Sequence, residues 1–133
     1  MTLRVLLIDD RADKFGQEIG SSLASLGLDF ALDTCKDNCA PQVEKALKKG
    51  YDLIVLDWIF PDGPDGAETL KLIRGKGFKG PIILHSERYR NFGQYVGKDM
   101  ADAYVWRGLG GSTLTDTLSR CIHAINGHRA SGI

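Results

Sequence analysis

Short apolar runs recur along the chain and alternate with segments of helical periodicity. Residues 3–8, 53–56 and 81–85 are almost continuously apolar and rich in branched side chains. Runs of this length are typical of β-strands that are buried on both faces of a sheet. Residues 28–35 instead alternate apolar and polar side chains, which indicates a strand nearer a sheet edge, and residues 103–107 predict a fifth strand.

The segments between these strands predict helices. From Lys14 onward, apolar residues recur every three or four positions until Gly27, a typical helix stop. Pro41 opens a second, shorter helix that ends at Gly50. Asp65 is placed to cap a third helix, because an aspartate before the first turn accepts hydrogen bonds from its free amides.

Two more helices follow the last two strands. Residues 88–100 predict a fourth helix, in which Gly93 and Gly97 lower the helix propensity. Ser112 is placed to cap the last helix. Strand and helix thus alternate five times along the chain. This order predicts an α/β fold with three layers, a doubly wound five-stranded parallel sheet with helices on both faces.

Polar side chains follow four of the five predicted strands. Asp9 and Asp10 follow the first, Asp57 the third and Ser86 the fourth, while Arg107 ends the fifth. Ligands of such sheets bind at the carboxyl ends of the strands, so we expect these side chains to share one cleft. Carboxylates suit Mg²⁺, and a hydroxyl with a guanidinium suits a phosphoryl group. Asp57, between them, is the candidate nucleophile that would form an acyl phosphate.

Composition narrows the class of protein. The chain has 133 residues, of which 43% are hydrophobic, and its 17 basic residues balance 17 acidic ones. These values predict one globular domain with no bulk attraction to nucleic acid or to an anionic membrane. No apolar run is long enough to span a bilayer and the N-terminus lacks a signal-peptide pattern, so we predict a cytoplasmic location. Three scattered cysteines are best interpreted as reduced thiols.

The chain resembles the response-regulator receiver domains of two-component signalling over essentially its whole length. The acidic pair of that family matches Asp9 and Asp10, and its phosphorylated aspartate matches Asp57 in "DLIVLDWIFPDGPDG". The Ser/Thr after the fourth strand matches Ser86 in "PIILHS", and the aromatic residue of the fifth strand matches Tyr104 in "AYVWR". The resemblance implies a flavodoxin-like, CheY-like sheet with strand order 2-1-3-4-5.

The resemblance also implies a reaction and a cofactor. Asp57 would accept a phosphoryl group from a phosphohistidine on a sensor histidine kinase or a histidine phosphotransfer protein. Mg²⁺ would be held by Asp10, Asp57 and the backbone carbonyl of Ile59, with Asp9 helping directly or through water. A protein of this kind is a signalling domain that is phosphorylated and dephosphorylated, and it is not an enzyme that turns over a substrate.

The family further implies how such a signal leaves the domain. Ser86 would move toward the phosphoryl group, and Tyr104 would change rotamer and alter the surface of the fourth helix, fifth strand and last helix. We expect a downstream protein to bind this surface. Formation of a homodimer is left open. We assign residues 1–127 to the receiver domain and 128–133 to a short tail, with no output domain. A receiver cut from a larger hybrid protein stays open as well.

Several positions depart from the family pattern. Arg107 and Gly108 stand where the family has Lys-Pro, and arginine does not replace lysine freely in a tight site. Glu87 stands where the family prefers a small residue, and the turn at 61–66 is one residue longer than the commonest form. Ile59 is apolar, so we expect it to hinder water and to lengthen the life of a phosphoryl group.

Three functions are compatible with these residues, in this order of preference. The first is a stand-alone phosphorylatable receiver that signals by partner binding or phosphorelay. The second is a pseudo-receiver that binds its partner without phosphorylation, with Arg107 locking the acids. The third is a Mg²⁺-dependent phosphatase of small molecules, which commonly needs an acid two residues after its nucleophile, where this chain has Ile59. Taken singly, the acids and Ser86 also fit turns or helix caps, and Arg107 fits a salt bridge. Tyr104 and Trp106 share a strand face and fit packing under the fourth helix, and His85 fits a half-buried strand position.

Overall fold

A computed structural model describes residues 2–58, 65–86, 93–106 and 111–131 of the chain. Within these ranges the strands are β1 (Leu3–Ile8), β2 (Phe30–Cys35), β3 (Leu53–Asp57), β4 (Ile82–Ser86) and β5 (Ala103–Trp106). The α-helices are α1 (Ala12–Ser25), α2 (Ala40–Leu47), α3 (Gly66–Gly75) and α4 (Gly111–Ser131), and Gly93–Tyr95 forms one turn of 3₁₀-helix.

The five strands form one parallel sheet in the order β2-β1-β3-β4-β5. This confirms the predicted fold class and strand order. The pairing register brings the carboxyl ends of neighbouring strands to the same level: Ile8 pairs with Leu56, and Asp57 pairs with His85. Residues that follow these strands therefore meet along one edge of the sheet.

Each face of the sheet is covered by two helices. Helices α1 and α4 pack on one face, where Phe15, Ile19 and Leu118 join the core. Helices α2 and α3 pack on the other, through Val43 and Ile73. All five residues of β3 and all five of β4 are buried, which explains why their sequences are almost continuously apolar. Edge strand β2 has no fully buried residue, in agreement with its alternating pattern.

The helix boundaries follow the local signals. The Asp65 carboxylate accepts a hydrogen bond of 3.0 Å from the Glu68 amide, so the predicted cap of α3 is confirmed. Gly27, where the first helix was predicted to stop, has φ +71°, a left-handed conformation that glycine adopts without strain. Helix α4 begins at Gly111, one residue before the predicted cap Ser112, and extends to Ser131. The division of the chain at residue 127 stays a prediction.

The fourth predicted helix, over residues 88–100, is wrong in the part that the structure describes. Residues 93–95 form a single 3₁₀ turn, and Val96 then makes an isolated bridge to Ala101. Gly97 and Asp99 have φ +148° and +63°, and an α-helix cannot continue through such residues. Residues 87–92 lie outside the described ranges. The connection from β4 to β5 therefore contains no α-helix between residues 93 and 102.

All three cysteines, Cys35, Cys39 and Cys121, are free thiols. Burial, with a smaller contribution from the Asp102 carboxylate, raises the pKa of Cys121 to about 11 from its ordinary value of 9.0. Burial also raises the pKa of Cys35, and a hydrogen bond with Asp37 raises the pKa of Cys39. Across the described residues, no helix combines the length and the apolar character needed to cross a membrane.

The raised pKa of Cys121 predicts a thiol that reacts slowly with alkylating reagents. Alkylating reagents attack the thiolate, and a shift of about two units lowers the thiolate fraction at pH 8 by about a hundredfold. We expect iodoacetamide to label native Cys121 at least about a hundredfold more slowly than the same residue in urea. Peptide mapping after timed quenching measures both rates. Equal rates would show that the thiol is neither buried nor shifted.

Candidate active site

Three carboxylates meet at the carboxyl edge of the sheet. Asp9 directly follows β1, Asp10 is the next residue, and Asp57 is the last residue of β3. One oxygen from each of the three lies within 4.8 Å of the others. Asp9 and Asp57 are buried, whereas Asp10 is exposed. The predicted convergence of the acids is therefore confirmed, because β1 and β3 are neighbours in the sheet.

The local backbone holds Asp9 in place. Its side chain accepts a hydrogen bond of 2.8 Å from the Arg11 amide, and its own amide donates to the carbonyl of Cys35 over 3.0 Å. Its carbonyl accepts from the Ala12 amide at the start of α1 over 3.2 Å. The positive end of this helix dipole favours a negative charge at this position. Asp9 is thus fixed before any ligand arrives.

The cluster is electrostatically costly without a cation. Two unit charges less than 5 Å apart repel by roughly 3 kcal/mol at an effective dielectric constant of about 20. Asp9 and Asp57 are both shielded from water, so solvent screens this repulsion poorly. Three hard oxygen donors, two of them buried, are the ligand type that Mg²⁺ takes together with several waters. The residues present therefore fit a divalent cation of this kind.

Ser86 ends β4, the strand next to β3, and is fully buried. It lies one residue beyond His85, which pairs with Asp57. The structure thus places the hydroxyl on the strand beside the acids, as predicted. His85 was expected to be half-buried, but it is 1% exposed and packs edge-on against the Phe15 ring, with centroids 5.9 Å apart.

Tyr104 lies on β5, where its side chain is 43% exposed. Its ring contacts that of Trp106 at a centroid distance of 5.7 Å, so the two residues share a strand face as predicted. Trp106 also packs against the core between the sheet and α2 and α3. The predicted cover of a fourth helix over this face is wrong for residues 93–100, which are not α-helical.

Several predicted site residues lie outside the described residues. These are Ile59, Glu87, Arg107 and Gly108, together with residues 61–64 of the turn. The backbone ligand at Ile59 and the role of Arg107 therefore stay predictions.

Two buried polar residues that bond to each other were missed by the sequence analysis. The connection between β2 and α2 contributes Asn38, which is 2% exposed and donates a hydrogen bond of 3.0 Å to the hydroxyl of Thr69. Thr69 lies in the first turns of α3 and is 1% exposed. No periodic pattern marks this pair, since Asn38 stands among the ordinary turn formers of "CKDNC".

Trp58, the residue directly after Asp57, is also held by contacts that the sequence did not predict. Its carbonyl accepts a hydrogen bond of 3.1 Å from the Gly66 amide. A Cβ atom at Gly66 would lie 2.5 Å from the indole ring, so only glycine fits beneath it. The indole also contacts the ring of Tyr95, at a centroid distance of 4.7 Å.

Two cationic side chains near the start of α1 follow Asp9 and Asp10 closely in sequence. The guanidinium of Arg11 and the ammonium of Lys14 lie 5.0 and 5.3 Å from the centroid of the Phe15 ring. Cations held over an aromatic face gain a modest stabilisation. These contacts tie the two cations to the first turn of α1, the helix that follows Asp9 and Asp10.

A cavity of about 590 Å³ lies at the opposite pole, among the loops that precede β3 and β4. Its lining includes Tyr51, Phe78, Pro81 and Lys79, and it includes none of the three clustered acids. We place the site at the acids, because clustered carboxylate oxygens at the carboxyl edge of a parallel sheet suit a metal ion and a phosphoryl group.

No known protein-family profile matches the chain, and no curated protein sequence matches it either. Solved structures do match. The chemotaxis response regulator CheY4 of Vibrio cholerae is 25% identical, with a TM-score of 0.68 over 91% of this chain and 99% of that one. The response regulator domain of Thermotoga maritima CheB is 24% identical, with a TM-score of 0.72 over 95% and 98%. A signal receiver domain from Pseudomonas fluorescens Pf-5 is 18% identical, with a TM-score of 0.77 over 96% and 99%.

These similarities confirm the resemblance at the level of the fold. The matched structures are a response regulator, a response regulator domain and a signal receiver domain, and each is aligned over nearly its whole length. The chain therefore has the receiver-domain fold, with three clustered acids at the edge of the sheet where the sequence analysis expected them.

Proposed function

We propose that this chain, which has the receiver-domain fold, accepts a phosphoryl group on Asp57 and signals in its phosphorylated form. The observation that carries the proposal is the convergence of three carboxylates within 4.8 Å at the carboxyl edge of the sheet. A structural role such as a turn or a cap needs one acid, and three at this distance repel one another. Their joint presence is accounted for by a bound cation and a phosphoryl acceptor.

The proposed reaction is phosphoryl transfer from a phosphohistidine. An oxygen of the Asp57 carboxylate attacks phosphorus, and the phosphorus–nitrogen bond of the donor breaks. The bonding electron pair stays on the imidazole nitrogen, and the product is an acyl phosphate on Asp57. Mg²⁺, when bound, neutralises charge on the transferring oxygens. Asp9 and Asp10 would hold that ion together with Asp57 and the backbone carbonyl of Ile59.

Two further residues are proposed to contact the phosphoryl group. Ser86, buried at the end of β4, would donate a hydrogen bond from its hydroxyl to a phosphoryl oxygen. Arg107 would balance the remaining negative charge from the end of β5. A guanidinium is longer and flatter than the lysine of the family, so we expect Arg107 to slow the transfer rather than prevent it.

The proposed output is a change in protein binding. Sensor histidine kinases or histidine phosphotransfer proteins would be the donors, in the cytoplasm. Tyr104, already 43% exposed on β5, would lie at the centre of the output surface with Trp106 and the adjacent α4. This surface differs from the predicted one, since residues 93–100 form no α-helix. A downstream protein, a second copy of the chain or a relay partner would bind it.

The pseudo-receiver is the main alternative. It keeps the fold and the acids but uses Arg107 as a permanent counter-ion, so that no phosphoryl group enters. A phosphatase is less well supported, because the residue two positions after Asp57 is Ile59, which cannot donate a proton to a leaving group.

Intact-protein mass spectrometry tests the proposal. The chain is incubated with acetyl phosphate and Mg²⁺, and separately with a phosphorylated histidine phosphotransfer protein. We expect one phosphoryl adduct, which is absent when EDTA is present and absent in the Asp57→Asn variant. An adduct that persists in Asp57→Asn would move the acceptor to another residue. Lack of an adduct from both donors would favour the pseudo-receiver.

A further inference from the structure

The connection between β2 and α2 carries a buried side-chain amide, that of Asn38, which bonds to α3. Asn38 is 2% exposed, and its Nδ2 donates to Oγ1 of Thr69 over 3.0 Å. The two residues are 31 positions apart in sequence, and they join this connection to α3. A buried amide must be hydrogen-bonded to be tolerated, so its partners fix its position closely.

Thr69 passes this restraint to the start of α3. Its hydroxyl donates to the carbonyl of Asp65 over 3.3 Å, and its amide makes a second bond of 3.3 Å to the same oxygen. The Asp65 side chain in turn accepts from the Glu68 amide. Asp65, directly before Gly66, therefore accepts three hydrogen bonds, two at its carbonyl and one at its side chain.

Gly66 completes the connection to the site. Its amide donates to the carbonyl of Trp58 over 3.1 Å, and the indole of Trp58 packs so closely over it that a methyl group would not fit. Trp58 directly follows Asp57. A shift at the start of α3 would thus reach Trp58, the residue next to Asp57, through the hydrogen bond from the Gly66 amide.

We propose that Asn38 and Thr69 are positioning residues for the Asp57 site. They hold the start of α3, and through Gly66 and Trp58 they fix the backbone at the end of β3. This inference rests on the proposed function and names two residues that act on it without touching the metal or the phosphoryl group. Residues that orient metal ligands from outside commonly change metal affinity by about tenfold or more when they are replaced.

Mg²⁺ affinity in the Thr69→Val variant is the direct test. Valine keeps the shape of threonine, but its side chain neither accepts from Asn38 nor donates to the Asp65 carbonyl. The titration is read from the fluorescence of Trp58 in a Trp106→Phe background, which leaves one tryptophan, beside Asp57. We expect Mg²⁺ to bind about tenfold more weakly in Thr69→Val, and Thr69→Ser to stay within about twofold of the parent. Asn38→Ala is the second variant, and it should weaken binding in the same direction.

A matched control separates positioning from general destabilisation. Thr117 is also buried, at 2% exposure, and its hydroxyl bonds to a carbonyl within α4. Thr117→Val makes the same chemical change away from the acids, and we expect it to leave Mg²⁺ affinity unchanged. The double variant Asn38→Ala/Thr69→Val should bind Mg²⁺ at most about twofold more weakly than Thr69→Val does, because both residues act through one connection.

The outcomes distinguish the inference from the proposed function. Folded Thr69→Val and Asn38→Ala proteins that bind Mg²⁺ like the parent would overturn the positioning role alone. An equal loss in Thr117→Val would overturn it too, by showing a general effect of stability. A parent protein that binds no Mg²⁺ and accepts no phosphoryl group would overturn the proposed function, and the positioning role with it.

Discussion

Replacing Asp57 with asparagine is expected to stabilise the metal-free protein while it removes the phosphoryl acceptor. Asp57 is 3% exposed and lies within 4.8 Å of the carboxylate oxygens of Asp9 and Asp10. Asparagine keeps the shape of the side chain, replaces one acceptor oxygen with an NH2 donor, and removes one of the three charges. Because the repulsion among them is poorly screened, we expect the free energy of unfolding to rise by about 1–2 kcal/mol.

Urea unfolding in EDTA and in Mg²⁺ measures this effect. A cation that binds only the folded state stabilises it by about 1.4 kcal/mol at ten times its dissociation constant. The parent should therefore gain stability with Mg²⁺, and Asp57→Asn should gain much less. Asp116→Asn is a suitable control, since Asp116 is exposed on α4, away from the cluster, and its replacement should change stability by less than about 0.5 kcal/mol.

The sign of the change in EDTA also separates the two leading functions. If a cation of the chain, such as Arg107, permanently neutralised the acids, removing Asp57 would leave that cation without its partner. Breaking such a buried pair costs about 3–5 kcal/mol. A less stable Asp57→Asn protein in EDTA would thus contradict the prediction and favour the pseudo-receiver. A more stable one would favour an acidic cluster kept for a metal and a phosphoryl group.

The sheet and the acidic cluster were predictable because both follow from local patterns. Strands β3 and β4 are buried throughout, so their residues have to be apolar, and edge strand β2 shows the expected alternation. A parallel sheet then brings the strand ends together, which places Asp9, Asp10 and Asp57 side by side without further information.

The contacts that support the site were not predictable in this way. Asn38 and Thr69 are joined by one hydrogen bond between residues 31 positions apart, and neither belongs to a periodic pattern. His85 was expected to be half-buried because its neighbours on both faces were unknown, and the structure buries it against Phe15. Such contacts depend on how the helices pack on the sheet, and the pattern of apolar and polar residues along the sequence does not contain that information.

The predicted fourth helix failed for a related reason. Apolar residues between 88 and 100 suggested a helix, but glycines at 93 and 97 reduce its stability, and the positive φ angles at Gly97 and Asp99 interrupt it. A segment without internal helical hydrogen bonds needs partners from elsewhere. Backbone bonds supply some of these partners, for example from the Ala101 amide to the Tyr95 carbonyl over 3.0 Å. Arg74 of α3 supplies others. Its guanidinium donates to the carbonyl of Met100 and to the carboxylate of Asp102, the latter over 3.1 Å.

Arg74→Ala is therefore expected to be the most destabilising surface-accessible change in this region. The same guanidinium also donates to the carbonyls of Phe78 and Gly80, over 3.0 and 2.8 Å, and its side chain is only 15% exposed. Truncation would remove the charged partner of three carbonyls and one carboxylate, and each such bond contributes about 1.5–3 kcal/mol before non-additivity.

We expect the free energy of unfolding to fall by about 3 kcal/mol or more, and the melting temperature by roughly 10 °C. Lys71→Ala provides the control, because Lys71 is exposed on the same helix and its loss should cost less than about 0.5 kcal/mol. Arg74→Lys keeps the charge but not the planar fork, so it should fall between the two. If Arg74→Ala unfolded at the same urea concentration as Lys71→Ala, the connection from β4 to β5 would be held by its own packing. A loss confined to Arg74 variants would show that this connection depends on the hydrogen bonds of the Arg74 side chain.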